Sequence, residues 1–333
     1  MQRWASYSTY DPIETLLERE DVTIVDVLDE DSLSIAMRNS SQKLVDFFKR
    51  EEIMDELLNW ALTELYVDHP KFMKFSRASI SIFTCVTVNF QKMLHENDQF
   101  LIRLRQFQML NPASPRICGH FQRIIETLVI GTGGDILVFF PELSDFLIEN
   151  IANVGLRDLF VFLVTKYRIQ FHADVEMFQK LINQIGFETN NDNIDNYNSC
   201  YCIISAIRAI LSQKEEYFIL FDTKEIFDRL FLLAVYPKTH PLLATGIYRL
   251  FPYLKRAKNY YPAMLKYRDM YEFRDDISLP YAIETFMLID GKILLKIFDK
   301  NSCTYLIDAI CKAFMNKGYY FLIDHRNILS LKN

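Results

Sequence analysis

Apolar residues recur at helical spacing along most of the chain. After Lys49, one apolar stripe consists of Met54, Leu57, Leu58, Ala61, Leu62 and Leu65. This spacing predicts an amphipathic helix. It returns in residues 226–234 and in residues 156–164, where Val161 and Phe162 add a second apolar side and predict a helix buried nearly all round. Residues 22–27 and 80–88 are rich in β-branched side chains, so a β-strand is an alternative to a helix there. Neither segment alternates strictly between apolar and polar residues.

Breakers of regular structure separate these helical segments. Most prolines stand where a helix would begin, a position that tolerates the missing backbone N–H. The sequence Asp11-Pro12-Ile13-Glu14 has the form of a capping box with proline at the first helical position. Helices joined by short connections predict an all-α fold, an armadillo- or HEAT-like α-solenoid of stacked helix pairs. No clean sequence repeat appears, so this prediction rests on the type of element.

We predict a single helical-repeat domain over residues 1–333. A polar loop at residues 188–198, with five Asn and two Asp, would separate an N-terminal half (residues 1–187) from a C-terminal helical half (residues 199–333). An ordinary connection between helices explains this loop better than a functional role does.

Composition excludes several classes of protein. The net charge of −6 argues against a nucleic-acid-binding protein. Six cysteines in 333 residues do not make a disulfide framework and favour reduced, buried thiols. The first residues lack a signal peptide's apolar stretch, and runs such as 159–165 are far shorter than the roughly 20 residues of a membrane span. We expect no membrane span and a cytoplasmic location, with the nucleus as an additional one.

The motifs of catalysis and cofactor binding do not appear in the sequence. The six histidines are scattered, and the pair Cys200 and Cys202 has no second ligand pair, so buried thiols are favoured over zinc. The stretch from Gly131 to Gly134 lacks the Lys-Ser/Thr of a P-loop and predicts a helix C-cap and turn. Asp135 is followed by Ile, not by the His of a two-metal phosphatase site. We therefore predict a non-enzyme without cofactor or metal.

Two segments have an unusual charge. Residues 11–31 hold nine acidic side chains and one basic side chain, Arg19. This segment could meet a basic partner surface or be the solvated face of two short helices. Residues 249–274 hold seven basic side chains interleaved with tyrosines. They could form an anion or partner patch, but solvated Lys and Arg on a Tyr-rich helix are the favoured interpretation.

Several motifs resemble one family in order along the chain. They are IETLLEREDVTI at residues 13–24, VLDED at 27–31, QKLVDFF at 42–48, TC at 84–85 and LNP at 110–112. The first block is quite specific, because a run of that length is improbable by chance. The sequence resembles a divergent and shortened member of the SAPS-domain family, the regulatory subunits of type-six, type-2A-like serine/threonine protein phosphatases. The resemblance covers roughly residues 4–212. The triplet Ala36-Met37-Arg38 departs from it, since the family has an acidic residue, Cys and Lys there.

The resemblance implies a helical-repeat scaffold that binds the phosphatase catalytic subunit and modulates its targeting or substrate choice, with a third scaffold subunit as a further partner. The candidate contact residues are Glu20, Asp21, Asp29, Glu30, Asp31, Arg38, Lys43 and, as an outside candidate, Asn111. Helix capping before Pro112 explains Asn111 better than contact does, and Leu16, Leu17 and Val22 are expected in the core. The alternatives are an interaction scaffold that no longer binds a phosphatase and, from another class, an enzyme with a cryptic site.

Overall fold

The computed structural model describes residues 12–107, 114–186, 194–268, 270–271 and 276–287, which belong to two compact units that divide between Ala173 and Asp174. Every regular element in these residues is a helix, so the all-α prediction is confirmed. The β-branched segments at 22–27 and 80–88 belong to helices and their connections and contain no strand. No described helix combines the length and the apolar character that a bilayer crossing requires.

Unit 1 is built from helices that pack against one another. Its helices are α1 (Pro12–Leu16), α2 (Ile24–Asp29), α3 (Leu33–Arg38), α4 (Gln42–Phe48), α5 (Glu51–Leu62), α6 (Phe72–Phe83), α7 (Val88–His95), α8 (Asp98–Phe107), α9 (Pro115–Gly131), α10 (Leu143–Glu149) and α11 (Val154–Lys166), with a 3₁₀ helix at Asp135–Phe139. Helix α1 begins at Pro12, as proline at a first helical position predicts. Asp11, the cap residue of the predicted box, lies outside the described residues.

Helix α9 is the centre of the unit 1 core and packs against α5, α6, α7 and α11. It buries seven side chains, which are Ile117, Cys118, Phe121, Ile124, Ile125, Leu128 and Val129. Its contact with α11 is close because glycines face each other there. A Cβ added to Gly155 would lie 3.1 Å from the Cα of Gly119. The missing side chain at Gly155 therefore sets the distance between the two helices.

The apolar stripes predicted from the sequence face the core. In α5, the side chains of Met54, Leu57, Leu58, Ala61 and Leu62 are buried. The predicted stripe ran too far, because α5 ends at Leu62 and Leu65 is 66% exposed. Thr63 is extended, and its hydroxyl donates to the Asn59 carbonyl, which ends the helix. In α11, Val161 and Phe162 are half-buried, so the second side of that helix is less enclosed than predicted.

The glycine-rich stretch closes α9, as predicted. The helix ends at Gly131, and Gly133 and Gly134 have φ angles of +63° and +99°, in the left-handed region that favours glycine. The chain then turns directly into the 3₁₀ helix. The stretch is therefore a helix C-cap and turn.

Unit 2 continues the same type of packing. Its helices are α12 (Val175–Asn183), α13 (Ile194–Gln213), α14 (Lys224–Val235), α15 (Pro241–Tyr248), α16 (Phe251–Leu254), α17 (Tyr260–Arg268) and α18 (Leu279–Met287), with a 3₁₀ helix at Glu215–Phe221. Helix α14 packs against α12, α15 and α17, and buries its predicted stripe of Ile226, Phe227, Leu230, Phe231 and Ala234. Cys200 and Cys202 on α13 are buried, as predicted.

The two compact units separate after Ala173. The predicted division at the polar loop 188–198 falls within the second unit and stays a prediction. Residues 187–193 of that region lie outside the described residues. The last five positions of the predicted loop are helical, because α13 begins at Ile194. Asn and Asp are common at helix beginnings as well as in loops, so composition alone does not locate the end of the loop.

Several basic side chains of the tyrosine-rich segment of unit 2 make contacts within the chain. Lys266 on α17 lies 2.8 Å from the Asp228 carboxylate on α14, and Arg256 pairs with Glu215. The Arg249 guanidinium lies 4.8 Å from the centre of the Tyr281 ring and donates to its hydroxyl. These contacts join neighbouring helices and favour the structural interpretation of this segment.

Candidate docking surface

The acidic segment lies on the first helices of unit 1. Helix α2 buries Ile24, Val27 and Leu28 and packs against α5 and α6, which leaves its polar positions at the surface. A capping box fixes the start of α2. The Thr23 hydroxyl oxygen accepts from the Asp26 backbone N–H at 3.3 Å, and the Asp26 carboxylate accepts from the Thr23 N–H at 2.9 Å. The hydrogen bonds from Thr23 lower the pKa of Asp26.

Asp29, at the C-terminal end of α2, is not a free acidic group. Its carboxylate accepts from Lys71 Nζ at 2.7 Å and from Lys74 Nζ at 2.9 Å. Lys74 Nζ also donates to the Asp29 backbone carbonyl at 2.7 Å, at the end of the helix where a cation is favourable. The hydrogen bonds from both lysines lower the pKa of Asp29. Asp29 therefore ties α2 to the start of α6.

The two acidic residues that follow have different surroundings. Glu30 is half-buried, and its carboxylate accepts from the Ser32 hydroxyl at 3.2 Å and from the Ser32 N–H at 3.4 Å. Asp31 has a side chain that is 98% exposed, with Lys74 Nζ at 3.4 Å. Among the described residues, no lysine or arginine pairs with Glu30, so its charge is compensated only by neutral donors.

Lys43 joins a second cluster of charges, between α1 and α4. Its Nζ lies 3.0 Å from Glu18 and 3.3 Å from Glu14. The hydrogen bonds to Glu18 and Glu14 raise the pKa of Lys43. The Ser41 hydroxyl, which also caps α4, donates to Glu14. Lys43 therefore has a structural role within the chain in addition to its predicted place in an interface.

The remaining candidates lie at the surface. Asp21 forms a two-pronged pair with Arg19, with both N–O distances at 3.0 Å. The hydrogen bond from Arg19 lowers the pKa of Asp21. Glu20 is exposed, and so is Arg38 in the last turn of α3. Asn111 lies outside the described residues.

A groove lies between the end of α1, helix α2 and the start of α6. Its volume is about 420 Å³, and its lining residues are Leu16, Val25, Asp26, Asp29, Glu30, His69, Pro70, Lys71 and Phe75. The groove brings together the predicted residues Asp29 and Glu30. The other predicted positions do not line it. We call this feature the α2–α6 groove.

One wall of the α2–α6 groove belongs to an aromatic cluster. The ring of His69 lies 5.3 Å from that of Phe75, and both pack against buried Trp60. His69 Nδ1 accepts from the Lys71 backbone N–H at 3.2 Å, which orients the imidazole. The wall is therefore held in place by packing and by a hydrogen bond to the turn before α6.

Sequence reasoning missed the α6 side of the surface. Lys71, Lys74, His69 and Phe75 come more than 35 residues after the acidic segment, and none of them carries a motif. The lysine spacing of three residues on a helix with an apolar face was a usable signal, because it places both ammonium groups on one side. Leu16, Leu17 and Val22, which were expected in the core, are half-buried.

The surface has the properties of a docking site. It combines exposed charges with an apolar wall, and among the described residues no group of three His, Cys, Asp or Glu side chains is arranged to hold a metal ion. Carboxylates and ammonium groups arranged in this way steer a charged partner and fix its register.

Comparison with known proteins gives one consistent group of relatives. The chain is 27% identical over 160 residues to serine/threonine-protein phosphatase 6 regulatory subunit 3 of Gallus gallus, which covers 46% of this chain and 18% of that protein. It is 25% identical over 207 residues to regulatory subunit 3-B of Xenopus laevis, covering 58% and 24%. It is 23% identical over 211 residues to regulatory subunit 2 of Mus musculus, covering 59% and 23%.

These relatives confirm the family resemblance that the sequence motifs indicated. The matched region spans between 18% and 24% of the length of the relatives. Their names describe regulatory subunits and not catalytic ones, in agreement with the prediction of a non-enzyme. No family model and no solved structure matches the chain.

Proposed function

We propose that this chain, a divergent relative of the SAPS-domain regulatory subunits of protein phosphatase 6, is a non-catalytic subunit that binds a type-six-like serine/threonine phosphatase catalytic subunit. It would modulate the targeting or the substrate choice of that enzyme. The observation that supports this proposal is the similarity over about half of the chain to several phosphatase 6 regulatory subunits.

The structure is compatible with such a role in physical terms. A regulatory subunit needs a stable surface of sufficient size, and an ordinary interface buries about 1,600 Å² in total. Helical units with well-packed cores supply rigid surfaces without any reactive group. The acidic first helices of unit 1 add a charge that attracts a basic partner surface.

We assign the contact to the acidic surface of unit 1. The proposed contact residues are Glu20, Asp21, Asp29, Glu30, Asp31, Arg38 and Lys43, with Asn111 as the outside candidate. The residues whose charges are most available are Glu20, Glu30 and Asp31, since Asp29 and Lys43 are engaged in contacts between helices.

Co-elution of the purified chain with a type-six catalytic subunit tests the proposal. We expect a complex in size-exclusion chromatography for the wild type. The triple charge reversal E20K/E30K/D31K should weaken it, and it keeps the Asp29 carboxylate that binds Lys71 and Lys74. The control is E51K/E52K/E149K, which reverses three exposed acidic side chains outside the surface.

The outcomes distinguish an error in the proposed function from an error in the assigned contact surface. Equal weakening by both triple variants would show a general charge effect and reject the assigned surface. Absence of any complex with the wild type would reject the function itself and favour the alternative, a helical scaffold that no longer binds a phosphatase. Binding of a third scaffold subunit and the cytoplasmic and nuclear location stay predictions.

A further inference from the structure

We infer that the α2–α6 groove receives an arginine side chain from the surface of the catalytic partner, with Glu30 as its counter-ion. This inference rests on the proposed function, because the partner is the phosphatase catalytic subunit. It names the chemistry of one contact within the larger surface.

The first argument for an arginine is the charge of the groove. Three carboxylates line it, those of Asp26, Asp29 and Glu30, against one ammonium group, that of Lys71. Asp26 is held by the Thr23 cap, and Asp29 is held by Lys71 and Lys74. Within the part of the chain that the structure describes, the half-buried carboxylate of Glu30 accepts only from Ser32. A half-buried carboxylate that has no cation among these described residues gains most from a cation that a partner brings.

The second argument is the lining of the groove, and it is independent of the charges. The exposed ring of His69 stands on one side, packed on the buried ring of Phe75, and Leu16 and Val25 complete the lining. A planar guanidinium can stack on an imidazole ring, which a compact ammonium group cannot do. The groove is open to the surface, with a volume of about 420 Å³, so a side chain of another protein can reach it.

Lys71 provides a third argument, because it lies at one edge of the groove. Its Nζ lies 2.7 Å from Asp29, which keeps a second contact with Lys74. Lys71 therefore competes with an incoming cation for Asp29, while Lys74 holds α2 in place. Removal of the Lys71 charge should free the Asp29 oxygen that Lys71 binds, so that the partner's arginine can bind it. Lys74 would still hold α2 in place.

The test measures the affinity of the full chain for the purified type-six catalytic subunit by isothermal titration. The first variants are E30Q and E30K. Gln keeps the acceptor for the Ser32 hydroxyl, so E30Q removes the charge and little else. We expect E30Q to raise Kd several-fold and E30K to raise it by about tenfold or more, the usual effect of removing one partner of a close charge pair. The control E52K, on the exposed first turn of α5, should stay within about twofold of wild type, as for peripheral charges.

The variant K71Q provides the decisive contrast, since we expect it to lower Kd. A variant that merely loosened the fold would raise Kd instead, so the opposite signs of E30Q and K71Q distinguish a cation site from general damage. Circular dichroism at 222 nm and the thermal midpoint establish that each variant is folded.

The inference is supported if E30Q raises Kd and K71Q lowers it. Wild-type affinity in E30Q and E30K would overturn it and leave the proposed function standing, as would raised Kd in K71Q. No binding by the wild-type chain would overturn the inference together with the proposed function.

Discussion

At the scale of single residues, glycine 155 shows how one missing side chain sets the packing of unit 1. A Cβ at Gly155 would lie 3.1 Å from backbone atoms of Gly119, and backbone cannot move aside as a flexible side chain can. Gly119 lies opposite, but a Cβ added there would meet nothing within 4 Å. The two glycines therefore have different roles although they share one contact.

We expect Gly155→Ala to destabilise the protein by about 1–3 kcal/mol, the usual cost of overpacking a tight contact. Gly119→Ala should be neutral or should stabilise by up to about 1 kcal/mol, because alanine is the better helix former. Chemical denaturation of both variants measures the difference. Equal destabilisation by both would contradict the close approach of α9 and α11.

His120 gives the stability a dependence on pH. Its Nδ1 lies 2.8 Å from the Ala61 carbonyl, and burial lowers the pKa of His120. Histidine in an unfolded chain titrates near pH 6.5, about the reference value. Because the folded state resists protonation, the contribution to stability is complete above that pH and is lost as the pH falls below it.

We expect the free energy of unfolding to decline between pH 7.5 and pH 5, and to decline less in His120→Gln. Glutamine can still donate to the Ala61 carbonyl but does not titrate. Denaturation curves at several pH values provide the slope for each protein. Identical slopes for the variant and the wild type would exclude His120 as the responsible group.

At the scale of elements, charged side chains connect helices that the apolar core already brings together. Arg116 on α9 is an enclosed example, with a side chain that is 20% exposed. Its guanidinium donates to the Ser76 hydroxyl at 2.8 Å and to the Thr63 carbonyl at 3.0 Å, and it lies 4.7 Å from the centre of the Phe72 ring. One side chain thus joins α9 to the end of α5 and to α6.

We expect Arg116→Met to cost about 1–3 kcal/mol, because it leaves the buried Ser76 hydroxyl and a helix-terminal carbonyl without this donor. The matched control is Arg123→Met, an exposed position on the same helix, which should change stability by less than about 0.5 kcal/mol. Thermal or urea unfolding measures both. Equal effects would show that Arg116 acts as an ordinary surface residue.

Sequence reasoning succeeded where a feature is local and failed where it is not. The stripes of α5 and α14, the proline at the start of α1 and the glycine turn after α9 all follow from neighbouring residues. The end of α5 was misplaced because Leu65 fits the helical spacing, whereas the extended Thr63 ends the helix before it. The pairing of Asp29 with Lys71 and Lys74 joins residues more than 40 positions apart, and spacing within a segment carries no information about it.

The same limit explains the docking surface. The sequence placed Asp29 and Glu30 in one acidic block, and the structure places both at the α2–α6 groove. The sequence did not show that two lysines bind Asp29. It also did not show that, among the described residues, no lysine binds Glu30. Charge in a sequence therefore indicates a surface, and only the packing of α2 on α6 shows which charges are available to a partner.

At the scale of the whole molecule, the proposed function requires of this chain a binding surface and no reactive group. Because the proposed contact depends on acidic side chains at the surface, added salt should weaken it. We expect the affinity for the catalytic subunit to fall between 50 and 300 mM NaCl, and to fall less steeply for E30Q than for the wild type. Parallel salt dependences would show that Glu30 does not take part in the contact.

The most direct measurement is the affinity of the wild-type chain for a purified type-six catalytic subunit. The account predicts a saturable complex with one copy of each protein, seen both in titration and as a single co-eluting peak. A catalytic subunit that elutes alone, at concentrations where a phosphatase 6 regulatory subunit retains it, would contradict the account.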